Sequence, residues 1–222
     1  MTITKFEIGT NPYIGAYLVA TENFVLAPPI IKPTSVVKIK DTLKVDVITI
    51  SVSGSALLGV FVVANSNGIL VPDIITDEEL EKLKSLVDVN IGVIRTKYNS
   101  LGNLIVANDR GAITTPLFDK DILKIIEDTL NVEVSSRKVV ASDLLGTISV
   151  ATNKGALVHP LATENDIQFM SKILKVPVMV GTVNLGSPYI SVGLVANTKG
   201  ALVGSLTTGP EIVRISQALE LV

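Results

Sequence analysis

The sequence contains no cysteine, no tryptophan and a single histidine, His159. Without cysteine it can form no disulfide, no thiolate metal site and no cysteine nucleophile. A metal that prefers nitrogen or sulfur ligands would therefore find too few of them, and only carboxylate sites suited to Mg²⁺ or Ca²⁺ remain. The usual starting points for nucleophilic and zinc-dependent catalysis are missing.

The sequence also lacks a marked excess of either charge, because 19 basic and 21 acidic residues give a formal net charge of −2. A protein that binds nucleic acid by neutralising many phosphates usually carries a basic excess, so we expect no DNA binding and only local contact with RNA. The longest apolar run, Ala56 to Ala64, is far too short to span a membrane. The N-terminal residues do not resemble a secretory signal, so we expect a cytoplasmic protein.

What the sequence does contain is a repeat. Five segments of the type Val-Ala-Asn/Thr-x-x-Gly recur, and their alanines are separated by 43 to 45 residues. Four of the segments carry a glycine four residues after the alanine, and the first has Phe24 instead. A period of this length is typical of repeat architectures. The five alanines are Ala20, Ala64, Ala107, Ala151 and Ala196.

Each repeat predicts the order strand, hairpin turn, strand, helix, strand. Asn or Thr followed by Gly indicates the turn, and a capped amphipathic stripe indicates the helix. Thr76 with Glu79 and Thr208 with Glu211 form capping-box patterns, and Thr34 is the predicted cap in the first repeat. The predicted core stripes of the first four helices include Val36, Val37 and Ile39; Leu80, Leu83 and Val87; Ile122, Ile125 and Ile126; and Ile167, Met170 and Leu174.

The fifth repeat ends after its helix, whereas residues 3–15 at the N-terminus resemble the closing strand segment 47–59 of the first repeat. We therefore predict that the N-terminal strand completes the last repeat and closes a ring. The fold class is α/β: one five-fold pseudosymmetric ββαβ ring over residues 1–222, with repeats at about 11–56, 57–100, 101–143, 144–188 and 189–222 plus 1–10. A closed ring has no open repeat ends to cover, so we expect a monomer.

A five-fold ββαβ ring resembles the pentein, or α/β-propeller, architecture, whose enzymes act on guanidino groups with a cysteine nucleophile. This chain has no cysteine, and His159 stands at a strand end that other repeats fill with Val71, Thr115 and Gly204. The acidic runs at residues 77–79 and 119–121 fall where carboxylates stabilise helix N-termini. We expect no catalytic residue, no bound metal and no cofactor. A guanidino-group hydrolase with a non-cysteine nucleophile stays open as an alternative.

Several longer strings carry a more specific resemblance. They are LLGVFVVANSNGILVP (57–72), SLGNLIVANDRGA (100–112), LGTISVATNKGALVHP (145–160), VPVMVGTVNLGS (176–187) and TTGPE (207–211). With the repeat register, they make the whole chain resemble the translation initiation factor 6 family. The chain ends soon after the fifth helix, as we expect of an archaeal-type member.

This resemblance implies a non-enzymatic factor that binds the intersubunit face of the large ribosomal subunit and keeps the small subunit off. It implies contact with an L14-type ribosomal protein near the sarcin–ricin loop of the rRNA. It also implies a role in large-subunit maturation and release by an elongation-factor-like GTPase. A generic ring-shaped scaffold for unrelated partners is the remaining alternative.

The ribosome-binding residues are expected in the loops that enter the first strand of each repeat, because these differ most between repeats. Leu101, Gly102 and Asn103 match the LGN motif of the family, with Asn103 as a polar anchor. Asn103 could instead be a turn residue that satisfies its own backbone. Tight strand entry alone would explain Gly102. The equivalent positions in other repeats are Tyr13, Ile14, Leu58, Val60, Leu145 and Thr147.

Overall fold

A computed structural model of the chain describes residues 2–221, and it consists of five three-stranded sheets. The inner strands are β2 (Val19–Ala20), β5 (Val63–Ala64), β8 (Ile105–Ala107), β11 (Ser149–Ala151) and β14 (Leu194–Asn197). The middle strands are β3 (Phe24–Ala27), β6 (Gly68–Pro72), β9 (Gly111–Thr114), β12 (Ala156–Val158) and β15 (Gly200–Gly204). The outer strands are β4 (Asp46–Thr49), β7 (Asn90–Ile94), β10 (Glu133–Ser136), β13 (Val178–Val180) and β1 (Ile3–Phe6).

All five sheets have the same topology. The inner strand runs antiparallel to the middle strand, and the middle strand pairs in parallel with the outer strand. In the fifth sheet the outer strand is β1, which pairs with β15 from Ile3 opposite Ala201 to Phe6 opposite Gly204. The predicted closure of the ring by the N-terminal strand is therefore confirmed.

In the first four repeats a long helix connects the middle strand to its outer strand, as a parallel pair requires, and in the fifth a long helix follows the middle strand while the outer strand comes from the N-terminus. The five long helices are α1 (Pro33–Leu43), α3 (Asp77–Leu86), α5 (Lys120–Leu130), α7 (Glu164–Leu174) and α9 (Gly209–Ala218). One further turn of helix precedes each inner strand: a 3₁₀ turn (Ile14–Ala16), α2 (Leu58–Phe61), α4 (Leu101–Leu104), α6 (Leu145–Ile148) and α8 (Ile190–Gly193).

The helix N-termini follow the capping chemistry of the sequence, with one exception. Thr76 accepts a hydrogen bond from the backbone N–H of Glu79, and Glu79 accepts one from the backbone N–H of Thr76, as predicted. In the first repeat the prediction of Thr34 as cap is wrong, because α1 begins at Pro33 with Lys32 in the capping position. Proline fits the first helical position, where its missing N–H costs no hydrogen bond, so the helix starts earlier.

The core lies between repeats. The five buried clusters each combine the sheet of one repeat with the helix of the next, as where Leu70 of β6 packs with Ile126 of α5. Two residues of the predicted stripes are exposed to solvent, since Val37 is 58% exposed and Ile125 is 36% exposed. Each lies at the edge of the apolar stripe, beside the buried residues of its helix.

The inner strands contact one another in a closed cycle, and so do the five helical turns that precede them. These elements surround an axial cavity of about 120 Å³ lined mainly by Gly, Ala and Val. The ring has two different ends. We call the end at which hairpin turns join inner to middle strands the hairpin end. The end that carries the one-turn helices is the short-helix end.

Glycine allows the one-turn helices to approach so closely. A Cβ atom added to Gly102 would overlap the carbonyl oxygen of Gly59, and one added to Gly59 would overlap that of Gly15. The fifth repeat has Ser191 at this position, and its hydroxyl donates a hydrogen bond of 3.3 Å to the carbonyl of Thr147. Packing around the ring axis therefore explains these glycines.

Candidate docking surface

In every repeat, three chain segments begin or end at the short-helix end. Middle strands end there, outer strands end there, and the one-turn helices begin there, because inner and middle strands are antiparallel while middle and outer strands are parallel. Side chains from remote parts of the sequence therefore share one surface.

This surface carries most of the large apolar side chains that are exposed. Nine of the thirteen large hydrophobic side chains that are exposed among residues 2–221 lie in connections at the short-helix end, with exposed fractions between 38% and 72%. The other four, Val37, Leu86, Ile125 and Val213, lie on the long helices. We call the nine together the apolar face: Tyr13, Ile30, Leu57, Leu117, Leu144, Leu161, Leu185, Tyr189 and Leu206.

Four members of the apolar face occupy one equivalent position, immediately before the one-turn helix. They are Tyr13, Leu57, Leu144 and Tyr189, whereas the third repeat has Ser100 there. The first three are held by side chains two residues earlier. Their backbone N–H groups donate to Asn11 at 2.9 Å, Ser55 at 3.1 Å and Ser142 at 3.0 Å. These turns fix the backbone before any partner binds.

The predicted site residues divide into two groups. Ile14, Leu58, Leu101 and Leu145 are fully buried and pack in the cores between repeats, so no partner can touch their side chains. They are buried because the first residue of each one-turn helix points towards the sheet beneath it. Tyr13 is exposed, and Val60, Gly102, Asn103 and Thr147 are half-buried.

Asn103 lies in the middle of α4. Its backbone N–H donates to the carbonyl of Ser100 at 3.0 Å, but no residue between 2 and 221 forms a hydrogen bond with its side chain. The side chain therefore does not satisfy its own backbone, as the alternative interpretation required. Thr147 holds the same position in α6, and its buried hydroxyl also lacks a protein partner within that range.

Sequence reasoning missed the exposed residues that precede the LG motif. Apart from Tyr13, it selected the buried residue one position later, at 58, 101 and 145. A signal was available, because Asn or Ser stands two residues before Tyr13, Leu57, Leu144 and Tyr189. In all four cases the apolar residue is exposed.

Two carboxylates stabilise the linkers at this end. Glu79 accepts hydrogen bonds from the Ser51 hydroxyl and from the Ser53 and Gly54 backbone at 2.7 to 2.9 Å. Partial burial of Glu79 raises its pKa, but the bonds from Gly54, Ser51, Thr76 and Ser53 together outweigh that effect and lower the pKa to about 2.

Glu211 does the same for the linker between the fourth and fifth repeats. It accepts from the Gly186 N–H at 2.8 Å and the Thr182 hydroxyl at 2.9 Å. Burial raises the pKa of Glu211, and bonds from the Thr208 and Gly186 backbone and from the Thr182 and Thr208 hydroxyls lower it by more. Both linkers are therefore held by an ionised carboxylate at neutral pH.

His159 is part of a turn. It follows β12, its Nδ1 accepts from the backbone N–H of Leu161 at 3.0 Å, and no serine or carboxylate of the described chain is hydrogen-bonded to it. Residues 2–221 also contain no group of three or more His, Asp or Glu side chains that could hold a metal ion. In the same range, no helix has the length and apolar character needed to cross a membrane.

Fold and surface together define the class: a closed ββαβ ring of the pentein type with an apolar face at one end. A family model described as the eIF-6 family matches residues 3–218. Proteins named Translation initiation factor 6 are similar over the full length, with 40% identity to the one from Pyrococcus abyssi (100% of both chains covered). The one from Aeropyrum pernix is 44% identical over 98% of this chain and 95% of its own.

The chain belongs to the eIF-6 family and is a translation factor. Among solved structures, it is similar to a mutant of DDAH from Pseudomonas aeruginosa complexed with citrulline, with a TM-score of 0.49 and 10% identity. That likeness covers 76% of this chain and 68% of the other. Strand order and register define the ring fold independently of this likeness.

Proposed function

We propose that this translation factor binds the large ribosomal subunit through the apolar face, and that its bulk then sterically prevents the small subunit from joining. The observation that supports this most is the concentration of exposed apolar side chains at the short-helix end. Exposed apolar patches on a protein usually mark an interaction surface, and aromatic residues such as Tyr13 and Tyr189 are typical anchors.

The partner that fits this surface is a protein. A net charge of −2 and an apolar contact face suit a ribosomal protein better than an array of phosphates. We therefore propose an L14-type ribosomal protein on the intersubunit face as the main contact, with rRNA near the sarcin–ricin loop as a neighbour. The free side chain of Asn103 would supply a polar anchor beside the apolar contacts.

The remaining parts of the proposal rest on the closed ring, the N-terminal sequence and the resemblance to the family. The factor works in the cytoplasm as a monomer, takes part in large-subunit maturation, and is released by an elongation-factor-like GTPase. Nothing about His159 favours the alternative of a guanidino-group hydrolase, because its Nδ1 is occupied by a backbone N–H.

Co-sedimentation with separated ribosomal subunits tests the proposal. The double variant Tyr13→Glu/Tyr189→Glu should lose about a hundredfold in affinity for the large subunit, since two central contacts are removed. The control is Val37→Glu/Val213→Glu, which adds the same charge at two valines that are each 58% exposed on outer helices. It should bind within about threefold of the unchanged protein.

Equal losses in the two double variants would contradict the docking surface, because they would show a general electrostatic effect. Binding to both subunits alike, or binding that disappears at moderate salt, would contradict specific large-subunit binding. Asn103→Arg should weaken binding without lowering the urea midpoint. If that variant binds with full affinity, Asn103 is not part of the interface.

A further inference from the structure

The five contacts between neighbouring repeats are not equivalent. We number the repeats 1 to 5 by their predicted boundaries and call each contact a junction. At three junctions, 2–3, 3–4 and 5–1, an asparagine of one hairpin turn bridges to the next repeat. These bridging asparagines are Asn65, Asn108 and Asn197.

Each bridging asparagine makes the same four hydrogen bonds. For Asn108, Oδ1 accepts from the N–H groups of Arg110 and Gly111, which holds its own turn. Its Nδ2 donates to the carbonyls of Thr152 and Leu174, both at 2.9 Å. Leu174 is the last residue of α7, so the asparagine satisfies a helix C-terminal carbonyl that has no partner within the helix.

A second layer of hydrogen bonds lies at the same three junctions. Ser66 donates to Asp109 through its backbone and its hydroxyl at 2.8 Å, and Asn153 donates to Asp109 at 2.6 Å. Thr198 donates to Glu22 in the same way across junction 5–1. The hairpin end is thus strongly connected at these junctions.

Junctions 1–2 and 4–5 differ. Threonine replaces the bridging asparagine at positions 21 and 152, and its hydroxyl bonds only within its own turn. Among residues 2–221, no hydrogen bond crosses either junction at the hairpin end. The bonds that do cross them lie at the short-helix end, chiefly those accepted by Glu79 and Glu211.

The helices at these two junctions end differently as well. Helices α1, α5 and α7 have eleven residues and end in a left-handed residue, at Lys44, Asn131 and Lys175. Helices α3 and α9 have ten residues; α3 is followed by Val87, which is not left-handed, whereas α9 is followed by Leu219 and then by the left-handed Glu220 (φ 51). Of the two helices without a bridging asparagine, α3 therefore lacks a left-handed C-terminal residue, and α9 has one that is displaced by one position.

We propose that the ring flexes as two bodies, repeats 2 to 4 and repeats 5 with 1, which separate at the hairpin end of junctions 1–2 and 4–5. The linkers held by Glu79 and Glu211 act as the hinge at the short-helix end. The apolar face lies on the hinge side and stays assembled while the hairpin end opens. This conformational device does not depend on the proposed ribosome binding.

Amide hydrogen exchange of the full chain, corrected for intrinsic rates, tests this directly. The C-terminal turns of α3 and α9 should exchange about tenfold faster than those of α1, α5 and α7, because fewer hydrogen bonds oppose local opening. Within α3 and α9, exchange should be slower towards the N-terminus, next to the hinge. Uniform exchange over the five helices would overturn the proposal.

Substitutions can move the opening from one junction to another. Asn108→Thr should turn junction 3–4 into one of the open type and speed exchange in α7 about tenfold, while α1 and α5 stay unchanged. Thr21→Asn and Thr152→Asn should slow exchange in α3 and α9, respectively. Equal acceleration of every helix by Asn108→Thr, or no slowing by either added asparagine, would overturn the two-body description.

Discussion

The two ends of the ring are built from the same five repeats and have opposite chemistry. The hairpin end is polar and its turns are joined by side-chain hydrogen bonds at three junctions. The short-helix end buries its packing residues and leaves nine large apolar side chains exposed. One end therefore holds the ring together, whereas the other end carries exposed apolar side chains that the packing of the fold does not require.

Removal of a bridging asparagine should have the largest effect on stability. Asn108→Ala leaves two buried carbonyls and two turn N–H groups without partners, so we expect a loss of about 3 kcal/mol in the free energy of unfolding. Urea denaturation measures it. Asn103→Ala at the opposite end is the matched control and should cost less than about 0.5 kcal/mol. Similar losses in the two variants would remove the contrast between the ends.

The second-largest effect on stability is expected from a methyl group added between the one-turn helices. Gly102→Ala would place its Cβ against the Gly59 carbonyl, so we expect a loss of about 2 kcal/mol from overpacking. Gly209→Ala is the control, because a Cβ there meets no atom within 4 Å. A Gly102→Ala protein as stable as the unchanged one would show that the short-helix end can expand, contrary to its close packing.

Loss of the Glu79 charge should have a smaller, pH-dependent effect. Because the folded pKa of about 2 lies below the ordinary 4.5, Glu79 contributes stability above pH 4.5 that is lost as pH falls towards 2. We expect Glu79→Gln to cost about 1 kcal/mol at pH 7, a value reduced for partial exposure. The difference from the unchanged protein should shrink at pH 3.5. A difference independent of pH would show that the charge does not matter.

The smallest effect is expected on the apolar face itself. Leu161 is 72% exposed, so Leu161→Ser should change the free energy of unfolding by less than about 0.5 kcal/mol. Leu157→Ser, in the fully buried middle strand β12, should cost several kcal/mol because it buries a hydroxyl and opens a cavity. Thermal unfolding of both proteins would show whether the apolar face is free of a structural role.

Much of the fold was predictable because it depends on local patterns that repeat. The hairpin turns, the Thr76–Glu79 cap and the strand that closes the ring were all predicted from short segments, and the structure confirms them. The site was less predictable. The LG motif lies at the short-helix end, where most exposed apolar side chains are found, but the first apolar residue of each one-turn helix is buried. Which neighbour is exposed depends on helix phase relative to the sheet below.

The sequence by itself determined the repeat, the order of elements within it and the closure of the ring, because turns, caps and apolar periodicity act over a few residues. Only the tertiary structure decided which apolar side chains remain exposed and which junctions are bridged. Both outcomes depend on distances between residues some 44 to 66 positions apart, as in the bonds from Asn108 to Thr152 and Leu174. No local sequence pattern indicates these contacts, because the packing of the repeats around the ring determines which residues come together.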